Sequence, residues 1–143
     1  MIDKSRKYWH GDSADDIDEY LRLYSGVASI DVKPVLCHTC GNERFKIWVD
    51  EDEDAIQVEC SECGFKKIIL DCEDIWEDAD PHAGICPECK SKDYNVRVGF
   101  VRRDNRSVKH VYIGNRCSKC GLLGSYLDWS IKYEPTNTME NNI

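Results

Sequence analysis

The sequence predicts a small, metal-stabilised, mainly β fold: two tandem three-stranded units with one short N-terminal helix. Three observations carry this expectation. Eight of the nine cysteines fall into four Cys-x-x-Cys pairs, which form two quartets: Cys37, Cys40, Cys60 and Cys63, then Cys86, Cys89, Cys117 and Cys120. Between the pairs of each quartet, two runs of alternating apolar and polar residues flank a charged tip, which is how a hairpin reads. The second quartet repeats the plan of the first, down to the glycine after its last cysteine (Cys63-Gly64, Cys120-Gly121). A two-residue gap lets both sulfurs of a pair face one point from a tight turn. Two such turns joined by a hairpin set four thiolates in a tetrahedron, the closed shell of structural Zn²⁺. Two Zn²⁺ ions are expected; iron in a rubredoxin-like site would use the same sulfurs.

Each unit is too small to fold on its apolar core alone, and metal binding supplies folding free energy. Disulfides are the competing use of nine cysteines. The paired spacing suits metal better, and the opening residues hold no apolar secretory run, so a reducing, cytoplasmic setting is expected. No apolar run approaches the ~20 residues of a membrane span.

The organisation read from the sequence is an N-terminal segment, 1–34, with a helix over 14–25; a first unit, 35–70; an acidic linker, 71–85; a second unit, 86–133; and a flexible tail, 134–143. Ser13 suits a helix N-cap, with Asp16 in the capping-box place. Ile17, Tyr20, Leu21 and Tyr24 then form one apolar stripe, and Gly26 is a stop. In the first unit Phe45, Ile47 and Val49 alternate, Ile56 and Val58 answer, and Phe65–Leu70 gives a third strand. The tip between them, Asp50-Glu51-Asp52-Glu53-Asp54, is five consecutive carboxylates and must be solvated. Cys72, the ninth cysteine, suits a small buried apolar role, because acidic neighbours blunt a reactive thiol. In the second unit Tyr94, Val96, Val98 and Phe100 alternate, and a basic tip turns the chain. Val108, His110 and Tyr112 return it, and Leu127, Trp129, Ile131 and Tyr133 close it.

Closed four-sulfur zinc has no open position for a water, which argues against a hydrolase and for a non-catalytic protein. A zinc deaminase needs His-x-Glu before Pro-Cys-x-x-Cys; here Gly84 stands two places after His82 and the proline, Pro87, lies inside the pair. The other histidines, His10, His38 and His110, are scattered.

The repeated knuckle–hairpin–knuckle–strand plan over 35–70 and 86–133 resembles the zinc ribbon superfamily, which implies fold and metal. The whole layout is similar to a family of small bacterial proteins of unassigned function. That likeness rests on the helix with Glu19-Tyr20-Leu21, the two quartets, the Trp76-Glu77-Asp78 linker and the closing Cys120-Gly-Leu-Leu-Gly…Asp128-Trp129. One branch of the superfamily, the transcript-cleavage factors of RNA polymerase, carries an Asp-Glu pair on its hairpin tip for a catalytic Mg²⁺. Asp50-Glu51 can be laid over that pair, but within a five-acid run and without the branch's flanking tip residues.

Net charge is −8, and it is unevenly placed: residues 71–85 hold six acids and no base, whereas 86–131 hold nine bases and four acids. Two four-thiolate zinc centres would take the total to about −12. The leading expectation is a protein-interaction module, of inhibitor or immunity type, that meets a basic protein through Asp50, Glu51, Asp52, Glu53, Asp54, Glu73, Asp74, Glu77 and Asp78, with Trp76 as apolar anchor. The alternative is a nucleic-acid- or transcription-associated module in which Arg97, Arg102, Arg103, Arg106, Lys109 and Arg116 of the second hairpin contact phosphates.

Overall fold

The computed structural model describes residues 1–143. It is mainly β, with three short helices, but the two units are not separate beads. Their strands join one eight-stranded antiparallel sheet. In chain order the elements are α1 (Asp16–Ser25), β1 (Asp31–Pro34), β2 (Arg44–Asp50), β3 (Ala55–Cys60), β4 (Lys66–Ile68), α2 (Glu73–Trp76), β5 (His82–Ala83), β6 (Tyr94–Arg102), β7 (Val108–Cys117), β8 (Leu123–Ser130) and α3 (Asn137–Glu140). The main path runs β4-β3-β2-β6-β7-β8, with β1 added to β6 and β5 to β2.

The join is short. β2 meets β6 only at Arg44↔Asn95 and Phe45↔Tyr94; beyond that, β6 takes β1 as its neighbour and β2 takes β5. The two hairpins therefore splay from a common root while their inward residues stay together. Phe45, Ile47, Val49, Ile56 and Val58 of the first share one cluster of 24 buried residues with Tyr94, Val96, Val98, Phe100, Val111 and Ile113 of the second. This is the physical reason for the departure from tandem units. Neither hairpin can bury its apolar face alone, and each is the other's cover.

The opposite face of β6 and β7 carries α1. Ile17 and Leu21 are fully buried there beside Ile30, Val101 and Leu123. Gly114 and Gly99 make the close approach possible, since a Cβ at Gly114 would lie 2.5 Å from Ile17 and one at Gly99 would lie 2.6 Å from Ile30. Arg97 fastens the helix to the sheet through Asp15 and Asp18, at 3.0 Å each. At the helix start the Ser13 side chain makes no cap. The Asp16 carboxylate instead reaches back to accept the Asp12 and Ser13 N–H groups.

Three sequence expectations change. The inward set on β7 is Val108, Val111 and Ile113, with His110 and Tyr112 half-exposed. A register shift between Val101 and Arg102 moves the alternation by one residue. The linker 71–85 is not only a connector, because His82–Ala83 pair with Val49 and Trp48 as a strand. Nor does the tail fray. Thr136 and Met139 are buried, and Asn142 bonds the backbone of Ile68 and Leu70, covering the end of edge strand β4. Met139 anchors this polar segment by filling the shared core. No helix is long and apolar enough to cross a membrane.

Candidate metal centres and the surfaces they hold in place

Each quartet gathers at a single point. The sulfurs of Cys37, Cys40, Cys60 and Cys63, and those of Cys86, Cys89, Cys117 and Cys120, lie within 4.8 Å of one another in each group. Cys37–Cys63, Cys40–Cys60, Cys86–Cys120 and Cys89–Cys117 are each 3.5 Å apart. A tetrahedron of sulfurs at the Zn–S length of ~2.3 Å has edges of ~3.8 Å, whereas a disulfide would draw two sulfurs to ~2.05 Å. The donor set fits a four-coordinate metal.

The protonation chemistry points the same way. Burial opposes ionisation of Cys60, yet the Cys63 N–H and the Asn42 amide bring its thiol down to about 6. Cys40, although the Asn42 N–H favours its thiolate, is pushed up to about 12 by its hydrogen bond to Cys60 and by burial. In the second group the Ser91 N–H leads in bringing Cys89 down to about 7, while burial leads in pushing Cys120 up to about 12. Four thiols crowding one point cannot all ionise without a cation among them.

Local backbone builds both centres alike. In the first knuckle Cys37 N–H bonds Asn42 O and Gly41 N–H bonds Cys37 O; in the second hairpin Cys86 N–H bonds Ser91 O and Lys90 N–H bonds Cys86 O. The closing knuckles match too, with Gly64 to Cys60 and Gly121 to Cys117. All four turns need a left-handed residue; Gly41, Gly64 and Gly121 supply three, and Lys90 adopts φ 65° at the fourth.

The register lines the centres up. Cys60 pairs with Phe45, Phe45 with Tyr94, and Tyr94 with Cys117, one row across β3, β2, β6 and β7. Three strand spacings put Cys60 and Cys117 roughly 15 Å apart, far beyond the ~3.5–4 Å of two-metal sites. Each centre would hold its own ion.

The centres differ in cover. Cys40 and Cys63 are exposed, whereas Cys89 and Cys120 are only partly so. The N-terminal segment straps the second centre: Gly11 N–H bonds Gly121 O at 2.8 Å, Leu123 N–H bonds Trp9 O at 2.8 Å, and His10 Nε2 lies 2.9 Å from Glu88 inside the knuckle.

At the root of the hairpins sits a polar junction that the sequence did not announce. Asp93 accepts from the hydroxyls of both Ser61 and Ser118 and lies 3.3 Å from Arg44, which in turn pairs with Glu62. The signal was present in the duplication, since Ser61 and Ser118 each follow the third cysteine of a quartet, and Arg44 and Asp93 each stand four places after the second.

The acidic residues separate into two roles. Asp50 is buried, and its oxygens accept the N–H groups of Asp80, Asp52 and Glu53. Those bonds, Asp80 foremost, hold its carboxyl below the ordinary range. Asp50 is thus the rivet that draws the tip of the first hairpin to the linker, and Glu51 is engaged by His82 at 2.8 Å. The Asp50-Glu51 pair therefore does not offer two free carboxylates. Asp52, Glu53, Glu73, Asp74, Glu77 and Asp78 are exposed. Riveting brings the two acidic runs together at a cleft of about 360 Å³, lined by Glu53, Asp54, Asp71, Asp74, Ile75, Trp129 and Tyr133. Trp76, the anchor expected from sequence, is half-buried and outside this lining; Trp129 and Tyr133 supply the aromatic surface instead. Burial first, then the charges of Asp128, Asp71 and Glu53, push the Asp54 carboxyl up.

The basic residues are mostly occupied. Arg97 holds α1, and Arg102 bonds Asp31 at 2.9 Å and Glu140 at 2.7 Å. Arg103 bonds Val108 O and Ile131 O, and Arg116 bonds Gly11 O, Asp12 O and Asn95. Arg106 and Lys109 are exposed. No family model, no curated protein and no solved structure matches this chain.

Proposed function

We propose that the chain is a non-catalytic, zinc-binding interaction module, whose two metal centres hold a scaffold that presents an acidic cleft to a basic protein segment. The duplicated knuckles support placing it in the zinc ribbon superfamily, and the closed four-sulfur donor sets support zinc in a structural role. The observation that carries the reading is the cleft itself. Four carboxylates meet around Ile75, Trp129 and Tyr133, with no lysine or arginine in its walls. Burial first, and then the charges of Asp128, Asp71 and Glu53, push the Asp54 carboxyl up, and a cation brought into the cleft relieves that repulsion. The apolar walls give a bound lysine or arginine stem something to pack on. Such a surface suits an inhibitory or immunity-type role against a basic enzyme.

The nucleic-acid reading has less to stand on, because Arg97, Arg102, Arg103 and Arg116 already spend their donors inside the protein. Two charge variants of the metal-loaded protein separate the readings. Partner capture from nuclease-treated extract should survive Arg106→Glu with Lys109→Glu and should be lost, or fall steeply with added salt, in Glu53→Gln/Asp71→Asn/Asp74→Asn. Capture that ignores the acidic triple variant would remove this proposal.

A further inference from the structure

A second groove, with none of the acidic cleft's residues in its walls, lies on the N-terminal segment and the outer side of α1. Tyr8, Trp9, Tyr20, Leu23 and Tyr24 wall an open groove of about 290 Å³ floored by Leu123. The rings are organised: Trp9 meets Tyr20 edge-on at 6.2 Å, Tyr20 stacks on Tyr24 at 5.7 Å, and Tyr24 meets Tyr112 edge-on at 6.0 Å. Even so, Tyr8, Leu23 and Tyr24 remain 38 %, 47 % and 51 % exposed. A helix that served only the core would turn this stripe inward, as it does Ile17 and Leu21. The groove is at the small end of binding cavities, with room for one or two side chains.

Its rim is cationic in an acidic protein. Lys4 lies 4.9 Å over the Trp9 ring and Lys7 lies 5.4 Å over Tyr8, with Arg6 and Arg22 exposed close by in sequence. None of these four forms an ion pair, whereas Arg44, Arg97, Arg102 and Arg103 all do. The carboxylates of the same segments are spoken for, except Glu19. Asp3 takes Ser5, Asp12 and Asp16 take the Met1 amine, and Asp15 and Asp18 take Arg97.

We infer that this groove docks a short acidic peptide segment of a protein partner, with one aromatic or branched apolar side chain seated between Trp9, Tyr24 and Leu23 and flanking carboxylates meeting Lys4, Lys7 and Arg22. An aliphatic wall and floor, Leu23 and Leu123, favour a side-chain anchor over a stacked base. Lys4 and Lys7 sit over the groove's own rings rather than along an extended track, and the chain's net charge of −8 opposes a long polyanion.

The test uses the metal-loaded full chain and fluorescein-labelled Asp-Glu-Leu-Trp-Glu-Asp, read by anisotropy at low salt. Two control peptides replace Leu-Trp by Ser-Ser, or all four acids by lysine, and labelled oligothymidine is a fourth probe. The acidic apolar peptide should bind at least about tenfold more tightly than either control, and Leu23→Glu or Lys4→Glu/Lys7→Glu should each weaken it about tenfold. Leu23 is exposed enough that its replacement leaves the core intact; Tyr24→Ala, expected to weaken binding in the same sense, is the second variant. Equal binding of the three peptides, or binding untouched by Leu23→Glu and Tyr24→Ala, overturns the inference. So does oligothymidine that binds more tightly than the peptide through the same residues. Sedimentation showing self-association abolished by Leu23→Glu would make the occupant a second copy and overturn it as well.

Discussion

Phe45 and Tyr94, each the fifth residue after the second cysteine of its quartet, stand directly opposite one another in the only stretch where β2 and β6 pair. Equivalent residues facing each other in an antiparallel pair define a local two-fold relation. The two hairpins are thus joined as two subunits of a symmetric dimer would be, within one chain. Cys60 and Cys117 extend the row on either side, so each four-cysteine cluster closes one flank of a common core.

If the core is shared, a cavity at the junction must weaken both hairpins. Phe45, 2 % exposed, is expected to cost about 3–5 kcal/mol when replaced by alanine. Denaturant unfolding should remain a single transition, and amide exchange should accelerate on β6 and β7 as much as on β2 and β3. Loosening confined to the first hairpin would count against a shared core.

Asp93 is expected to outweigh Arg44, although the two are ion-paired. Removing the Asp93 carboxylate takes the Ser61 hydroxyl's acceptor, leaves the Ser118 hydroxyl only the Asp93 backbone oxygen and leaves Arg44 only Glu62, so Asp93→Ala should cost about 1–3 kcal/mol. The Arg44 side chain is 42 % exposed, and Arg44→Ala should cost no more than about 1 kcal/mol. Melting of the two single variants checks the order.

The first metal centre should be the labile one. Cys40 and Cys63 are exposed, while the second centre lies under the residue 9–11 strap. A chelator should remove the first ion about tenfold faster than the second, equivalent to ~1.4 kcal/mol in opening free energy. Alkylation mapped by mass spectrometry during chelation should label Cys40 and Cys63 before Cys89 and Cys120. The reverse order would contradict this.

Cys72 should be silent in the folded protein. It is fully buried, and desolvation pushes its thiol up to about 12 from an ordinary 9.0. The neutral form is thus favoured by folding. Its contribution to stability is complete below pH ~9 and is lost as pH rises through about 12, because the unfolded thiol ionises first. Cys72 should resist alkylation at pH 8, and Cys72→Ser should keep both metals at a modest packing cost.

The two cysteine clusters and the hairpins are legible in the sequence because they are local: cysteine spacing, turn glycines and alternation over a few residues each state their own geometry. Alternation says which face of β2 and β6 is buried but not what covers it, so the pairing of Phe45 with Tyr94 stayed hidden. The β7 pattern misled for a different reason. Val108, His110 and Tyr112 alternate well, and only the bulge beside Arg102 turns Val111 and Ile113 inward. The tail read as polar and loose because one buried methionine, Met139, outweighs its composition. Acidic residues were visible as a set, but their division into the buried Asp50 and the open cleft depends on Asp80 arriving from thirty residues away. For the same reason the sequence does not show that Trp129, far from the linker, lines the cleft.

Native mass spectrometry with elemental analysis, before and after chelation, tests the whole account most directly. It should find the 16.5 kDa chain carrying two zinc ions, with circular dichroism showing both hairpins lost once the metal is gone. A chain that is metal-free as purified, that carries iron at both centres, or that keeps its fold after chelation would contradict it.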